Sequence, residues 1–456
     1  MTIDTKITGG TVVTGDATFE AAVAIDDGTV VGVGRDSALP SADRRVDATD
    51  LLVLPGVVDP HVHLAGYNTI DSYDSGTAAA AAGGVTSLVN FAWQGWRPET
   101  GEWDADGTLT EAVERHREAA TEALVDVSFH PVVTAEDPGV FAELPELVED
   151  GITSFKLFTT DSIRLSHGFV GELFEQLAAL GAVAMAHTED HAVCSTLTEQ
   201  LRGSSDPTVY PDSRPDYAEA MAADALVRLA VEADAKYYGV HTTSEAAADA
   251  IASYRQDGTN VRAETCTHYT VFDRSLYEEL GNTAIMSPPL REAGDVGAMY
   301  DRIRDGTLSV VSSDHVATTE ARKRDDPWWD CHMGVNSLQT GLPVFHDEAV
   351  NERGLSYPTL VRLKCERPAD TFGMSTKGRI RPGADADIVL FDPDETYTIT
   401  ADNNQSKADF TIYEGREVTG RVKQTFVSGT RVAEDGQITA DPGHGEVLDR
   451  EIPDWK

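Results

Sequence analysis

Leu54–Leu64 reads LPGVVDPHVHL, an apolar run that ends in two histidines one residue apart, and this stretch decides the fold. Glycine and proline punctuate its start, and valines carry it as a strand from Gly56 to His63. Alternate side chains of a strand point the same way, so His61 and His63 aim at one point. Working outward, apolar runs of strand length recur at Val85–Phe91, Val125–His130, Ile152–Phe158, Val183–His187, Tyr237–His241, Val261–Thr265 and Leu308–Ser312. Helical patterns separate most of them, at Asp74–Ala82, Thr110–Glu122, Tyr217–Ala233, Ser244–Gln256 and Val296–Asp305. Eight strand–helix units predict a closed parallel (β/α)₈ TIM barrel over residues 55–374. Residues 1–54 and 375–456 have another texture, short alternating runs broken by Gly and Asp, as in AAVAIDDGTVVGVG and VKQTFVSGTRVAEDGQI. These two ends are expected to fold together into one small β-sandwich, giving an α/β protein with a barrel between the sandwich halves.

The polar residues collect at one end of that barrel. His187 ends VAMAH, His241 ends YYGVH and Asp314 ends LSVVSSD. With His61 and His63 they make five residues at C-terminal strand ends, where barrel enzymes keep their active sites. One such histidine is usually a satisfied core residue, but five matched positions of imidazole and carboxylate point to a divalent metal. The other histidines, such as His116 and His346, lie mostly on helices or in loops; His130 and His315, near strand ends, are candidates to support the ligands. Lys156 lies among apolar residues in GITSFKLF. Burial and neighbouring cations both drive a lysine towards its neutral amine. A neutral amine can capture carbon dioxide as a carbamate, an anion able to bridge two metals.

Composition bounds the partners. The 456 residues carry 77 acidic against 36 basic side chains, a net charge of −41, which disfavours nucleic acid and anionic membranes. The acids are interspersed with apolar periodic segments, so the charge is read as adaptation to a high-salt cytoplasm rather than as a disordered tail. No run of about 18 apolar residues suggests a membrane helix, and MTIDTKITGGTVVTGD lacks the pattern of a secretory signal. The expected location is therefore cytoplasmic. Four scattered cysteines, Cys194, Cys266, Cys331 and Cys365, read as buried free thiols.

Several of these stretches together resemble the amidohydrolase superfamily, and within it the hydantoinase/dihydropyrimidinase family. PGVVDPHVHL followed by DSGTAAAAAGGVTSLVNF is similar to its first barrel unit, and GITSFKLF resembles the segment of its carboxylated lysine. AETCTHY, MSPPLR, SSDH and GVNSLQTGLP resemble later signatures, and GRIRPGADADIVLFDP and YEGREVTGRV its C-terminal sandwich. The resemblance implies two divalent ions, zinc first, with manganese and cobalt also accepting these ligands. His61, His63, carboxylated Lys156 and Asp314 would surround one ion, and Lys156, His187 and His241 the other, with a bridging hydroxide. Asp314 would carry a proton from hydroxide to the departing ring nitrogen. Main-chain groups of Ser287 and Asn336 would grip a small cyclic amide, and a homo-oligomer, tetramer or dimer, is implied. Allantoinase is the nearer alternative activity; a non-catalytic scaffold, like animal relatives that lost their ligands, is the remote one.

The chain departs from that pattern at Asp161, where the family carries a tyrosine five residues after the lysine to support the oxyanion. A carboxylate cannot do this unless protonated. Tyr67, Thr159 and Thr160 are the donors the sequence leaves open. Ala65 stands where dihydroorotases carry an arginine, which disfavours that activity. Trp93, Trp96, Trp328 and Trp329 are read either as pocket walls or as packing.

Overall fold

A computed structural model describes residues 2–255 and 259–455. Eight parallel strands form the barrel: β1 Val57–His63, β2 Val85–Trp93, β3 Asp126–Val132, β4 Ser154–Phe158, β5 Val183–His187, β6 Lys236–Gly239, β7 Val261–Cys266 and β8 Leu308–Ser312. They neighbour one another in chain order. His315 and Val316, just past β8, pair in parallel with Val62 and His63 of β1 and close the sheet. Every residue of β1, β2 and β3 is buried, because helices cover the outside and side chains fill the inside.

The helices follow from local sequence. Thr108 caps Leu109–Ala119 by accepting from the Glu111 N–H, and Leu109, Ala112, Val113 and His116 make its buried stripe. The alanine-rich helix Tyr73–Ala82 is buried on almost every side. The Ser244–Gln256 helix is observed as Glu245–Ala252; Gln256 lies outside the described residues.

Two further sheets lie beside the barrel, one built from the N-terminal end alone and one from both chain ends. One has four strands, in the order Thr29–Gly34, Ala22–Asp26, Ile3–Thr8, Ala42–Asp47; the other has seven and pairs Leu52–Pro55 with Ile388–Thr398. Ile7, Val23, Val53, Ile388 and Phe426 share one apolar core between them. Lys377, Asp126 and Asp387, all buried, tie this region to the barrel. The Lys377 ammonium contacts Asp126 at the start of β3 and lies 3.0 Å from Asp387 and 2.9 Å from Asp385. Beyond Thr439 the chain returns to the barrel floor. Leu448 N–H donates to Val127 O at 2.7 Å, and buried Arg450 donates to Ser128 Oγ (2.9 Å), Ser154 Oγ (2.7 Å) and Phe129 O (2.6 Å).

Candidate metal centre

At the opposite, C-terminal mouth lies a cavity of about 380 Å³, within the size range of small-molecule sites. His61, His63, Lys156, His187, His241, Asp314, Ser287, Asp161 and Tyr67 all line it. His61 and His63 come from the end of β1, Lys156 from β4 and His187 from the end of β5. His241 and Asp314 sit two residues beyond β6 and β8, with φ of 36° and 45°. Such left-handed backbone is costly away from glycine and clusters at functional sites.

Which ring nitrogens face inward is fixed from outside. His61 Nδ1 lies 2.5 Å from Glu264 Oε1, and the Glu264 carboxylate is braced by the Tyr238 hydroxyl at 2.8 Å. His187 Nε2 donates to Glu189 Oε2 at 2.9 Å. A carboxylate on the outer nitrogen leaves the inner one as a lone pair, the usual support of a metal-binding histidine. Those inner atoms crowd together. His61 Nε2 and His63 Nε2 lie 3.0 and 3.3 Å from Asp314 Oδ1, and His187 Nδ1 lies 2.8 Å from His241 Nε2. Donor atoms of His61, His63 and Asp314 all fall within 4.8 Å of one another. Imidazole nitrogens and a carboxylate packed this closely can hold a divalent cation. Burial opposes charge on His61, yet Asp314 and Glu264 outweigh it and raise that imidazole to about 9.

Lys156 is 2% exposed, and its amine makes no hydrogen bond among the described residues. It lies 5.1 and 5.0 Å from the Phe91 and Phe158 ring centres. Burial pulls it down to about 7, against the pull of Asp314 and Glu264. The donor set, with an unpartnered buried amine lining the same cavity, fits a divalent-metal site.

The remaining expectations divide. Ser287 faces the cavity, but its hydroxyl is engaged, donating to Glu189 at 2.9 Å and accepting from Arg214 at 2.9 Å. The Asn336 side chain turns away and donates to Phe410 O at 3.0 Å; Gly334, two residues earlier, borders the cavity instead. Asp161, at φ 63°, accepts from Arg214 at 3.0 Å, and the same guanidinium holds Glu189. Trp93 and Trp329 wall the cavity, whereas Trp96 packs on Tyr67 and Trp328 on Tyr210. His130 and His315 do not touch the ligands. His130 Nε2 donates to Pro60 O at 3.0 Å and His315 pairs with Asp71 at 2.9 Å, so both brace backbone beside the site. All four cysteines are buried and free. Sequence reasoning missed Glu189, Glu264 and Arg214. The signal for Glu264 was present, a carboxylate in the middle of the strand-length run VRAETC.

A parallel barrel carrying this donor set at its C-terminal mouth is the architecture of a metal-dependent hydrolase, and the sequence model of the amidohydrolase family matches residues 52–432. The chain belongs to that family. Among its relatives is a D-hydantoinase of Geobacillus stearothermophilus, 32% identical over 97% of this chain and 96% of its own. An allantoinase of Escherichia coli O1:K1 / APEC is 30% identical, covering 94% of this chain and 95% of its own. The crystal structure of dihydropyrimidinase from Brevibacillus agri NCHU1002 superposes with a TM-score of 0.92 at 31% identity, over 99% of this chain and 100% of that one.

Proposed function

We propose that this protein hydrolyses a small cyclic amide or ureide, opening its ring as hydantoinases and dihydropyrimidinases do. The observation that carries the reading is the unpartnered amine of Lys156 amid four inward-facing imidazoles and the Asp314 carboxylate. His61, His63, Lys156 and Asp314 would hold one divalent ion, and Lys156, His187 and His241 the other, zinc being the first choice and manganese or cobalt compatible. The neutral Lys156 nitrogen bonds to the carbon of carbon dioxide and releases a proton to solvent, giving a carbamate anion that would join the ligand set. When bound, the ions supply an activated water and polarise the scissile carbonyl.

The chain's own groups do the rest. Asp314 takes the proton of the attacking water on a carboxylate oxygen and passes it to the ring nitrogen, which leaves only once protonated. Main-chain groups at Ser287 and Asn336 orient the ring, and Asp161 and Tyr67 line the cavity around it. Residues 55–374 form the catalytic barrel, with 1–54 and 375–456 as the sandwich. The charge of −41 supports a salt-rich cytoplasmic setting, and among the described residues no helix is long and apolar enough to cross a membrane. The working form is a homo-oligomer, tetramer or dimer.

Allantoin is the second substrate to weigh. Asp161 offers an acceptor at the cavity's outer side, and the ureido arm of allantoin carries N–H donors. The test is ring opening by metal-loaded protein in molar salt with hydantoin, dihydrouracil, allantoin and dihydroorotate. Turnover of hydantoin or dihydrouracil supports the leading reading and turnover of allantoin alone the second; silence on all four overturns both.

A further inference from the structure

Attack on an amide carbonyl throws negative charge onto its oxygen, and a pre-positioned donor there lowers the barrier. Few neutral donors in this cavity are free. The Ser287 hydroxyl is spent on Glu189. Thr159 is spent on His187 O and Glu189 O, at 3.1 and 2.9 Å, and accepts from Glu189 N–H. Thr160 is 1% exposed and borders a neighbouring cleft, beside His191, Cys194 and Tyr210, rather than this one. The Trp93 indole N–H also lacks a partner, but it is buried against the loop backbone at Gly66. Asp161 is an acceptor, tied to Arg214.

Tyr67 is different. It follows His63 by four residues, on the loop that leaves β1, and it lines the cavity. Three indoles fix its ring: Trp93 edge-on at 4.8 Å, Trp103 at 5.2 Å and Trp96 at 5.9 Å. Trp93 in turn stacks on His63 at 5.7 Å, so the ring cluster is continuous with the ligand set. The Tyr67 hydroxyl makes no hydrogen bond among the described residues. The residue is 36% exposed at the cavity mouth; desolvation of its hydroxyl and the charge of Asp161 push it up to about 12, so it keeps its proton as a donor across the working pH range.

We infer that the Tyr67 hydroxyl is the side-chain donor to the developing oxyanion, a catalytic role supplied here from the β1 loop. The inference rests on the ring-opening reading. The experiment is steady-state kinetics of metal-loaded Tyr67→Phe and Tyr67→His on the cyclic amide that the wild type turns over best, with metal content and thermal midpoint measured alongside. Tyr67→Phe is expected to lose about 10²–10³ in kcat with KM within about threefold, because the bond forms only as charge develops. Tyr67→His keeps an N–H on an aromatic ring and is expected to retain at least about tenfold more kcat than Tyr67→Phe. A kcat within about threefold of wild type, a loss confined to KM, or equal losses in both variants overturns the assignment. A wild type that opens no ring overturns the functional reading itself, and this assignment with it.

Discussion

Replacing Lys377 by methionine tests how the barrel is joined to the second β-rich region. The ammonium is 3% exposed and touches three carboxylates, two of them, Asp126 and Asp387, equally buried. Each acid keeps one main-chain donor: Glu446 N–H for Asp126 at 2.8 Å and Ser428 N–H for Asp387 at 2.9 Å. Breaking a buried pair costs about 3–5 kcal/mol, because an uncompensated charge stays inside. Unfolding 456 residues at about 2.1 cal/mol/K each changes entropy by about 1 kcal/mol/K, so the midpoint should fall by about 3–5 °C. The sign of the pH dependence follows. Burial already raises Asp387 against the opposing pull of Lys377, and the neighbouring Asp126 adds to the rise. Without the lysine Asp387 rises further. A carboxyl whose folded pKa exceeds its unfolded value of about 4 loses stability as pH rises through that interval and on to the folded value. Thermal unfolding of Lys377→Met should therefore show a larger deficit at pH 7.5 than at pH 5. Adding Asp126→Asn and Asp387→Asn should recover most of it. An unchanged midpoint, or a deficit that grows on acidification, would refute the reasoning.

Three further outcomes are expected. Lys156→Ala should bind less metal by elemental analysis and lose more than about 100-fold in activity, since even an outer partner of a ligand is worth 10–100-fold; full activity would refute the bridging role. Glu264→Gln should weaken metal affinity by about 10–100-fold, seen as activity lost at a lower chelator concentration, because it frees the tautomer of His61. The thermal midpoint should rise between about 0.1 and about 3 M KCl as the charge of −41 is screened; equal or greater stability without salt would remove the salt-adaptation reading.

The barrel was legible because its strands are apolar runs that stop at polar residues, and the cavity-facing histidines stand at those stops. Two of the stops lay deeper in the chain than the strands run. β6 ends at Gly239 and β8 at Ser312, yet the polar groups come from His241 and Asp314, which turn through left-handed backbone into the cavity. No hydropathy pattern encodes that turn. Lys156 stood out by contrast, a lone ammonium in a buried run, and the structure leaves it unpaired. Pairings set by distant chain segments were not legible. Asp161 meets Arg214 across 53 residues and Lys377 meets Asp126 across 251, and nothing local to either side chain names its partner. The indole cluster around Tyr67 was open for the same reason, since Trp96 and Trp103 approach through the short hairpin Trp96–Arg97 and Glu102–Trp103.

Arg450 gives the barrel floor a place in the order of synthesis. Its hydrogen bonds reach Ser154 and Ser128 across 296 and 322 residues of chain. All eight strands have been synthesised once Ser312 is added, but the floor must wait for Arg450, on the order of 10 s later at about 5–20 residues per second. During that interval the hydroxyls of Ser128 and Ser154 lack the guanidinium that satisfies them, at the end of the barrel opposite the metal ligands. A nascent chain of this enzyme thus has the ligand-bearing mouth of its barrel synthesised well before the base beneath it can close.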